Sequence, residues 1–241
     1  MKQEYDLICS LGGNCAAAHN LRIRNLRPAA YPFDWTYFTS EEAVYQLAEG
    51  FKNKFEKYML KENLVELPIN PSHPDKIQLK DTWGKMIWAN HFTTNTNFNQ
   101  TYINVKSTFD KRFKRLLDHI ELSEKILFLF CTSFCLKPDS VVSLVKTLHN
   151  LYPNKEFQIK VVSFNCTEEE HIQKDNIELF YHVRNSNLYD FTNTNYEWAF
   201  LDNIKLSSSF KIKNLSLLKK MFIILCPIKE FRRELRKKFI N

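Results

Sequence analysis

Residues 5–21, YDLICSLGGNCAAAHNL, decide the fold of this chain. The apolar run over residues 5–11 is short and stops at two adjacent glycines, Gly12 and Gly13, so it predicts a buried β-strand that ends in a tight turn. Asn14 is a favourable N-cap residue, and the alanines and leucine that follow it predict a helix with an apolar face. The opening of the chain is therefore a strand, a turn and a helix.

The second half of the chain alternates between apolar runs and amphipathic stretches. This alternation, with strands that are apolar almost throughout, is typical of a parallel sheet covered by helices on both faces. We therefore predict an α/β fold with a mostly parallel sheet of about five strands, Rossmann-like or flavodoxin-like. The predicted strands of this half are residues 125–130, 157–164 and 177–183, and the predicted helices are residues 140–151, 168–173 and 196–204.

The region between the opening helix and residue 120 is less regular. The sequence of this region predicts a helix with Ser40 as its N-cap and Gly50 at its end. It also predicts a strand at residues 86–92 and a long amphipathic helix at residues 102–119. Three prolines make residues 51–80 an irregular surface segment. We expect one α/β domain over residues 1–210, which carries the candidate catalytic residues, and a basic amphipathic helical tail over residues 211–241.

Composition and charge exclude several classes of protein. Of the 241 residues 44% are hydrophobic and 25% are charged, values that exclude disordered and collagen-like chains. The net charge is +7, and much of the excess lies in the tail, among Phe, Ile and Leu residues. Such a helix could lie on an anionic bilayer, and a solvated helix packed on the domain fits equally well. No nucleic-acid partner is expected, because the sequence contains no recognised module of that kind.

The spacing of the cysteines and the length of the apolar runs indicate the cellular compartment of the protein. Six cysteines are dispersed rather than clustered at the spacing of a disulfide framework, which favours the reducing cytoplasm. The first six residues are polar, so no secretory signal is expected, and no apolar window approaches the roughly 18 residues that span a bilayer. We expect a cytoplasmic protein, with peripheral contact at the inner membrane if the tail binds lipid.

Cys15 is the strongest candidate for chemistry. It starts a helix at the carboxyl end of the first strand, where open α/β sheets bind ligands. The helix dipole and free amides there would lower the pKa of the thiol and make it a nucleophile, and the turn formed by Ser10, Gly12, Gly13 and Asn14 could bind substrate and hold an oxyanion. Two alternatives stay open: Cys15 could pack as a small apolar residue, and Ser10 could be the nucleophile.

A thiol nucleophile needs a base, and the histidines supply candidates. His91 is the best placed, at the end of an apolar strand and before a polar loop, although a strand-end histidine is often only structural. His19 lies one helical turn after Cys15, and His182 lies at the end of the last predicted strand. Asp34 is flanked by aromatic residues and could orient a histidine as a third catalytic member or cap the following turn.

Two further groups are weaker candidates. Arg112 and Arg115 lie three residues apart on one helix face and could bind a carboxylate or phosphate of the substrate, although a solvated face explains them as well. Cys131 and Cys135 are separated by three residues without a second pair of ligands nearby, so no metal site is expected. No cofactor is expected either.

Several motifs together resemble one known family. The chain resembles uncharacterised bacterial proteins described as putative papain-like cysteine peptidases, often encoded in surface-polysaccharide loci, and the resemblance extends to about residue 203. The pair formed by the first two motifs is the most specific part. The motifs are SLGGNCAAAHNLR at residues 10–22, LRPAAYPFDW at residues 26–35, NHF at residues 90–92 and KRFKRLL at residues 111–117.

The resemblance implies a Cys/His site with Cys15 as nucleophile and His91 as base, and it leaves Asp34 and Asn90 as alternatives for the third member. We therefore expect a thiol-dependent acyl-transfer enzyme, a hydrolase or an acyltransferase. The surface-polysaccharide setting implies a small-molecule or glycan substrate and an acyl thioester as one class of donor. The alternative is a non-catalytic glycan-assembly or binding module docked at the inner membrane.

Overall fold

The opening stretch forms the strand and helix that its pattern predicts. After a short strand β1 (Gln3–Tyr5), β2 (Leu7–Gly12) is buried at every residue, and helix α1 (Cys15–Ile23) begins three residues after it ends. The Asn14 side chain caps this helix by accepting a hydrogen bond from the Ala16 N–H. The computed structural model describes residues 2–71, 73–183 and 196–207, apart from the side chains of Asn90 and Tyr196.

The other elements follow in the order of the chain. The helices are α2 (Glu42–Lys52), α3 (Phe98–Leu122) and α4 (Pro138–Leu151), with 3-10 helices at Lys61–Asn63 and Tyr196–Asn203. The strands are β3 (Thr36–Phe38), β4 (Leu64–Glu66), β5 (Lys76–Asp81), β6 (Met86–Thr93), β7 (Lys125–Thr132), β8 (Glu156–Ser163), β9 (Glu170–Lys174), β10 (Ile177–Tyr181) and β11 (Ile204–Leu206).

A five-stranded sheet in the order β2-β7-β8-β10-β9 forms the centre of the fold. Its first four strands are parallel, and β9 pairs antiparallel with β10 at the edge. The carboxyl ends of β2, β7 and β8 therefore lie along one edge of the sheet, where α1 begins. This arrangement places Cys15 at the carboxyl-end edge of the sheet, where it is buried rather than open to solvent.

Helices cover both faces of this sheet because its strands are apolar on both sides. Side chains such as Cys9, Phe128 and Val161 pack in one core with α2, α3 and α4. Alternate residues, such as Ile8 and Leu129, pack in a second core with α1 and the 3-10 helix at Tyr196–Asn203. The period-two alternation of strand residues explains the two separate cores.

A second sheet has no counterpart in the sequence-based prediction. Its four strands are all antiparallel, in the order β3-β6-β5-β4, and two of them lie in the segment predicted as irregular. The α/β class is confirmed, but the sheets taken together are mixed rather than mostly parallel. The Rossmann-like or flavodoxin-like assignment is thus not confirmed.

Two local predictions were wrong. Residues 168–173 were expected to be helical, but the strand Glu170–Lys174 pairs with β10, and the ring of His171 stacks on Phe180 at a centroid distance of 4.5 Å. Helix α2 continues past Gly50 to Lys52, because the missing side chain of Gly50 leaves room for the rings of Phe55 and Tyr58.

The predicted basic tail, residues 211–241, lies outside the described residues. Within the described ranges, no helix combines the length and hydrophobicity that a bilayer-spanning segment requires.

Candidate active site around Cys15

Two glycines shape the turn that presents Cys15. Gly12 and Gly13 have φ values of +94° and +84°, a region that other residues rarely adopt. A Cβ atom at Gly12 would lie 2.4 Å from the Thr36 hydroxyl oxygen, and one at Gly13 would lie 2.5 Å from the Cys131 carbonyl oxygen. The chain can therefore pass close to both neighbouring segments only because both positions are glycine.

Ser10 belongs to the structure of the same turn. It is fully buried, and its hydroxyl oxygen accepts a hydrogen bond of 3.1 Å from the Gly12 N–H. Asn14 caps α1 with its side chain, at 2.7 Å from the Ala16 nitrogen. Both polar side chains are thus engaged in holding the turn, and Cys15 stays the candidate nucleophile at the helix start.

The environment of the Cys15 thiol differs from the expected one. The residue is only 2% exposed, and burial raises the pKa of the thiol, whereas the sequence predicted a lowered pKa. Two contacts act in the opposite direction, since the Tyr37 hydroxyl donates a hydrogen bond to Sγ at 3.7 Å and the backbone N–H of Cys15 also bonds to it. In the resting protein the thiol is therefore neutral, with donors already directed at the sulfur.

His91 lies in an irregular part of strand β6. Between the partner pairs Ile77–Phe92 and Leu79–Trp88, β6 advances four residues while β5 advances two, so His91 sits in a bulge. Bulges often redirect side chains next to active sites. The imidazole packs edge-on against Phe109 at a centroid distance of 4.8 Å.

His91 is neutral in the folded protein at pH 7. Burial and the nearby Arg112 guanidinium lower its pKa to about 4, so the ring is a free proton acceptor but a weaker base than an ordinary imidazole. Among the described residues, no hydrogen bond joins His91 to Cys15, whose described side-chain partner is Tyr37. The Cys15–His91 dyad stays a prediction.

Asp34 is paired with an arginine rather than with a histidine. Its Oδ2 atom lies 3.2 Å from a guanidinium nitrogen of Arg27 and accepts the Tyr31 N–H at 2.8 Å. Burial raises the pKa of this carboxyl to about 6, although Arg27 acts to lower it. Its Oδ1 atom is buried and has no hydrogen-bond partner among the residues that the structure describes. No hydrogen bond joins Asp34 to His91 among the described residues, so a role of Asp34 in orienting His91 stays a prediction.

The two arginines of α3 have different surroundings. Arg115 donates a hydrogen bond of 2.8 Å to the Ala30 carbonyl and so helps to hold the loop before Asp34. Arg112 packs over the ring of Phe109 at 5.3 Å, on the residue that also contacts His91. Of the two, Arg112 is thus the one next to the candidate base.

The other histidines have partners elsewhere. His19 lies 3.4 Å from a guanidinium nitrogen of Arg22 on its own helix. His182 is held at 2.8 Å by Glu169, beyond the end of β10, three strands away from β2 in the sheet. Sequence reasoning missed both Glu169 and Tyr37. No local signal marks Tyr37, because its approach to the thiol depends on the contact of β3 with the turn through the Phe38 N–H and the Gly13 carbonyl.

Comparison with known proteins identifies one similarity. The protein family described as "Putative papain-like cysteine peptidase" matches residues 6–169 of the chain, which include Cys15, Asp34 and His91 but not His182. No curated protein and no solved structure is significantly similar to the chain.

Proposed function

The chain belongs to the putative papain-like cysteine peptidase family, and from this premise we propose that it is a cysteine-dependent hydrolase or acyltransferase with Cys15 as its nucleophile. The observation that carries the proposal is the position of the thiol. It lies at a strand–helix junction, with the Tyr37 hydroxyl and its own N–H as hydrogen-bond donors. Such donors stabilise the thiolate that attack requires.

His91 is the proposed base. It is neutral at pH 7, lies in a bulge of β6 and falls within the stretch that matches the family. In the proposed reaction the Cys15 proton passes to His91 as Sγ bonds to the acyl carbon, and backbone amides of residues 13–15 stabilise the oxyanion. The leaving group then takes the proton, and a thioester forms on Cys15.

Water or another acceptor completes the reaction. Attack by water gives hydrolysis of a peptide, ester or thioester, and attack by a sugar hydroxyl or amine gives acyl transfer, as a role in surface-polysaccharide synthesis would require. Arg112 and His91 both pack against the ring of Phe109. Arg112 is the proposed contact for an anionic group of the substrate. Arg115 holds the adjacent loop. Asp34 then acts indirectly, through its charge near Arg112.

An acyl-enzyme burst tests this proposal. We expect p-nitrophenyl acetate to release a burst of nitrophenolate and to leave an acetyl group on Cys15, located by peptide mass spectrometry. Cys15→Ala should abolish the burst, and His91→Gln should slow it by about 100-fold. Cys135→Ser is the matched control, because Cys135 is an exposed cysteine that the reagent reaches freely. Acetylation of Cys135 without acetylation of Cys15 would contradict the proposal.

One observation favours a second function. The raised pKa and deep burial of Cys15 suit a non-catalytic module, for which the basic tail at residues 211–241 would provide contact with anionic membranes. On this alternative Cys15→Ala keeps function in cells, whereas removal of residues 211–241 abolishes it together with sedimentation on phosphatidylserine vesicles.

A further inference from the structure

Two cysteines occupy equivalent positions on neighbouring parallel strands. Thr132 of β7 and Ser163 of β8 are register partners, and Cys135 and Cys166 each lie three residues further along the chain. Because parallel strands end at the same edge of the sheet, the two loops leave side by side. The two thiols therefore meet although 31 positions separate them in the sequence.

Hydrogen bonds hold these two loops together. The Thr132 carbonyl accepts the Phe164 N–H at 3.0 Å, and the hydroxyl oxygens of Thr132 and Ser163 lie 2.9 Å apart. One residue before Cys166, the Asn165 side chain donates to the Ser133 carbonyl at 2.6 Å. The loops are thus tied on the strand side of the thiols, which fixes the separation of the two cysteines.

The two thiols differ in exposure. Cys135 is exposed, whereas Cys166 is only 6% exposed. Burial, together with a hydrogen bond to the Cys135 thiol, raises the pKa of Cys166 to about 12. Because Cys135 is the one of the two that is open to solvent, it is the sulfur that an oxidant meets first.

Cys131, the sequence neighbour of Cys135, is not an equivalent partner. It is fully buried and packs in the core on the α1 face, whereas Cys166 packs in the core on the opposite face of the sheet. The spacing of Cys131 and Cys135 therefore does not identify the pair that the fold creates.

We propose that Cys135 and Cys166 form a reversible disulfide when the protein meets a hydroperoxide. The Cys135 thiolate attacks the peroxide oxygen, breaks the O–O bond and becomes a sulfenic acid, while the peroxide leaves as water or an alcohol after taking a proton. The Cys166 sulfur then bonds to the Cys135 sulfur, and the sulfenic oxygen leaves as water with the Cys166 proton. A dithiol reductant reverses the step.

The cross-link would join loops that follow the strand ends next to the Cys15 turn. Cys131 lies near the end of β7, and its carbonyl oxygen approaches Gly13 so closely that a Cβ atom there would lie 2.5 Å away. Oxidation would thus fix the β7 and β8 ends next to the nucleophile. The proposal itself does not depend on Cys15, because disulfide formation is measured directly.

Peptide mapping of the full-length protein tests the proposal. We expect hydrogen peroxide, followed by alkylation and proteolysis, to give a peptide pair linked between Cys135 and Cys166 that dithiothreitol separates. Fragment spectra distinguish Cys135 from Cys131. In Cys166→Ser the sulfenic acid of Cys135 should persist and react with dimedone, at a level about tenfold above wild type. Cys131→Ser is the matched control and should keep the link.

Two outcomes would overturn the inference. One is a link between Cys131 and Cys135 in the wild-type protein. The other is equal dimedone labelling of Cys135 in the wild type and in Cys166→Ser, which would mean that Cys166 does not resolve the sulfenic acid. Circular dichroism of each variant verifies that the substitution leaves the protein folded.

Discussion

Two opposing effects set the acidity of the Cys15 thiol. Burial disfavours the thiolate, while the Tyr37 hydroxyl and the Cys15 N–H favour it. Sequence reasoning placed this residue correctly at the helix start, because glycines and an N-cap are local signals. It left burial of Cys15 open as an alternative and could not decide it, because the contact with Tyr37 depends on the antiparallel sheet.

Removing the Tyr37 hydroxyl should make Cys15 less reactive. Tyr37→Phe deletes a donor that lowers the pKa of the thiol, so the pKa rises and the thiolate fraction at pH 8 falls. We expect alkylation of Cys15 by iodoacetamide to slow by about three- to tenfold. Mass spectrometry of the Cys15 peptide separates this reaction from that of exposed Cys135. Tyr45→Phe, at an exposed residue of α2, should leave the rate unchanged; equal rates for both variants would contradict the prediction.

A side chain at position 13 should destabilise the fold. Gly13→Ala combines a φ of +84° with a Cβ atom 2.5 Å from the Cys131 carbonyl oxygen. We expect the free energy of unfolding in urea to fall by about 2–4 kcal/mol. Asn25→Gly is the matched control, since Asn25 is exposed with a φ of 56° and gains conformational freedom from glycine. If Gly13→Ala lowered the free energy of unfolding no more than Asn25→Gly does, the turn would tolerate a side chain at position 13.

At the scale of secondary-structure elements, segments with a strong hydrophobic period could be predicted, whereas strands at the edges of the sheets could not. The apolar strands β2, β7 and β8 and the amphipathic helices α3 and α4 agree with the prediction to within a few residues. The segment at Glu170–Lys174 has helix-forming residues, yet pairing with β10 makes it a strand. Strand β4 is short and mostly exposed, so it has no local signal, whereas β5 carries the polar–apolar alternation of a half-buried strand and was missed because the prolines before it dominated the interpretation.

Two histidines, one on strand β6 and one on helix α3, should make the stability of the fold sensitive to acid. Burial lowers the pKa of His91 and of His119 to about 4, so the unfolded chain binds protons between pH 6.5 and 4 that the folded protein does not. Stability therefore falls as pH decreases from 7 to 5, by about 2 kcal/mol for each histidine. Asp34, with its pKa raised to about 6, acts in the opposite direction and offsets about 1 kcal/mol.

Urea unfolding at pH 7 and pH 5 measures this effect. His91→Phe keeps an aromatic ring against Phe109 and should remove about two thirds of the net pH sensitivity. His149→Phe, at an exposed position of α4, should behave like the wild type. An unchanged pH sensitivity in His91→Phe would mean that the folded protein protonates His91 normally.

At the scale of the whole molecule, the described chain is closed by a pairing of its two ends. Strand β11 pairs parallel with β1, and Ile204 packs in the α1-side core with Tyr5 and Trp198. No local sequence pattern could reveal this pairing, since the partners lie some 200 residues apart. It makes the last described residues part of the same folding unit as the first.

Truncating Ile204 should therefore weaken the entire fold. Ile204→Ala removes buried methyl groups from this core, and we expect a loss of about 2–4 kcal/mol in the free energy of unfolding. Ile103→Ala serves as the control, because Ile103 is 60% exposed and its loss should change stability by less than about 0.5 kcal/mol. A normal melting temperature for Ile204→Ala would indicate that the two ends fold independently.

The hydrogen bond from the Phe38 N–H to the Gly13 carbonyl, 3.3 Å long, joins the antiparallel sheet to the turn that precedes Cys15. Tyr37 neighbours that bond, and its strand pairs with the one that carries His91. The antiparallel sheet thus carries the Tyr37 hydroxyl and the His91 imidazole, while the Cys15 sulfur follows the parallel sheet, and both sheets share one hydrophobic core. A change in the contact between the two sheets would therefore alter the acidity of the thiol and its distance from the imidazole together.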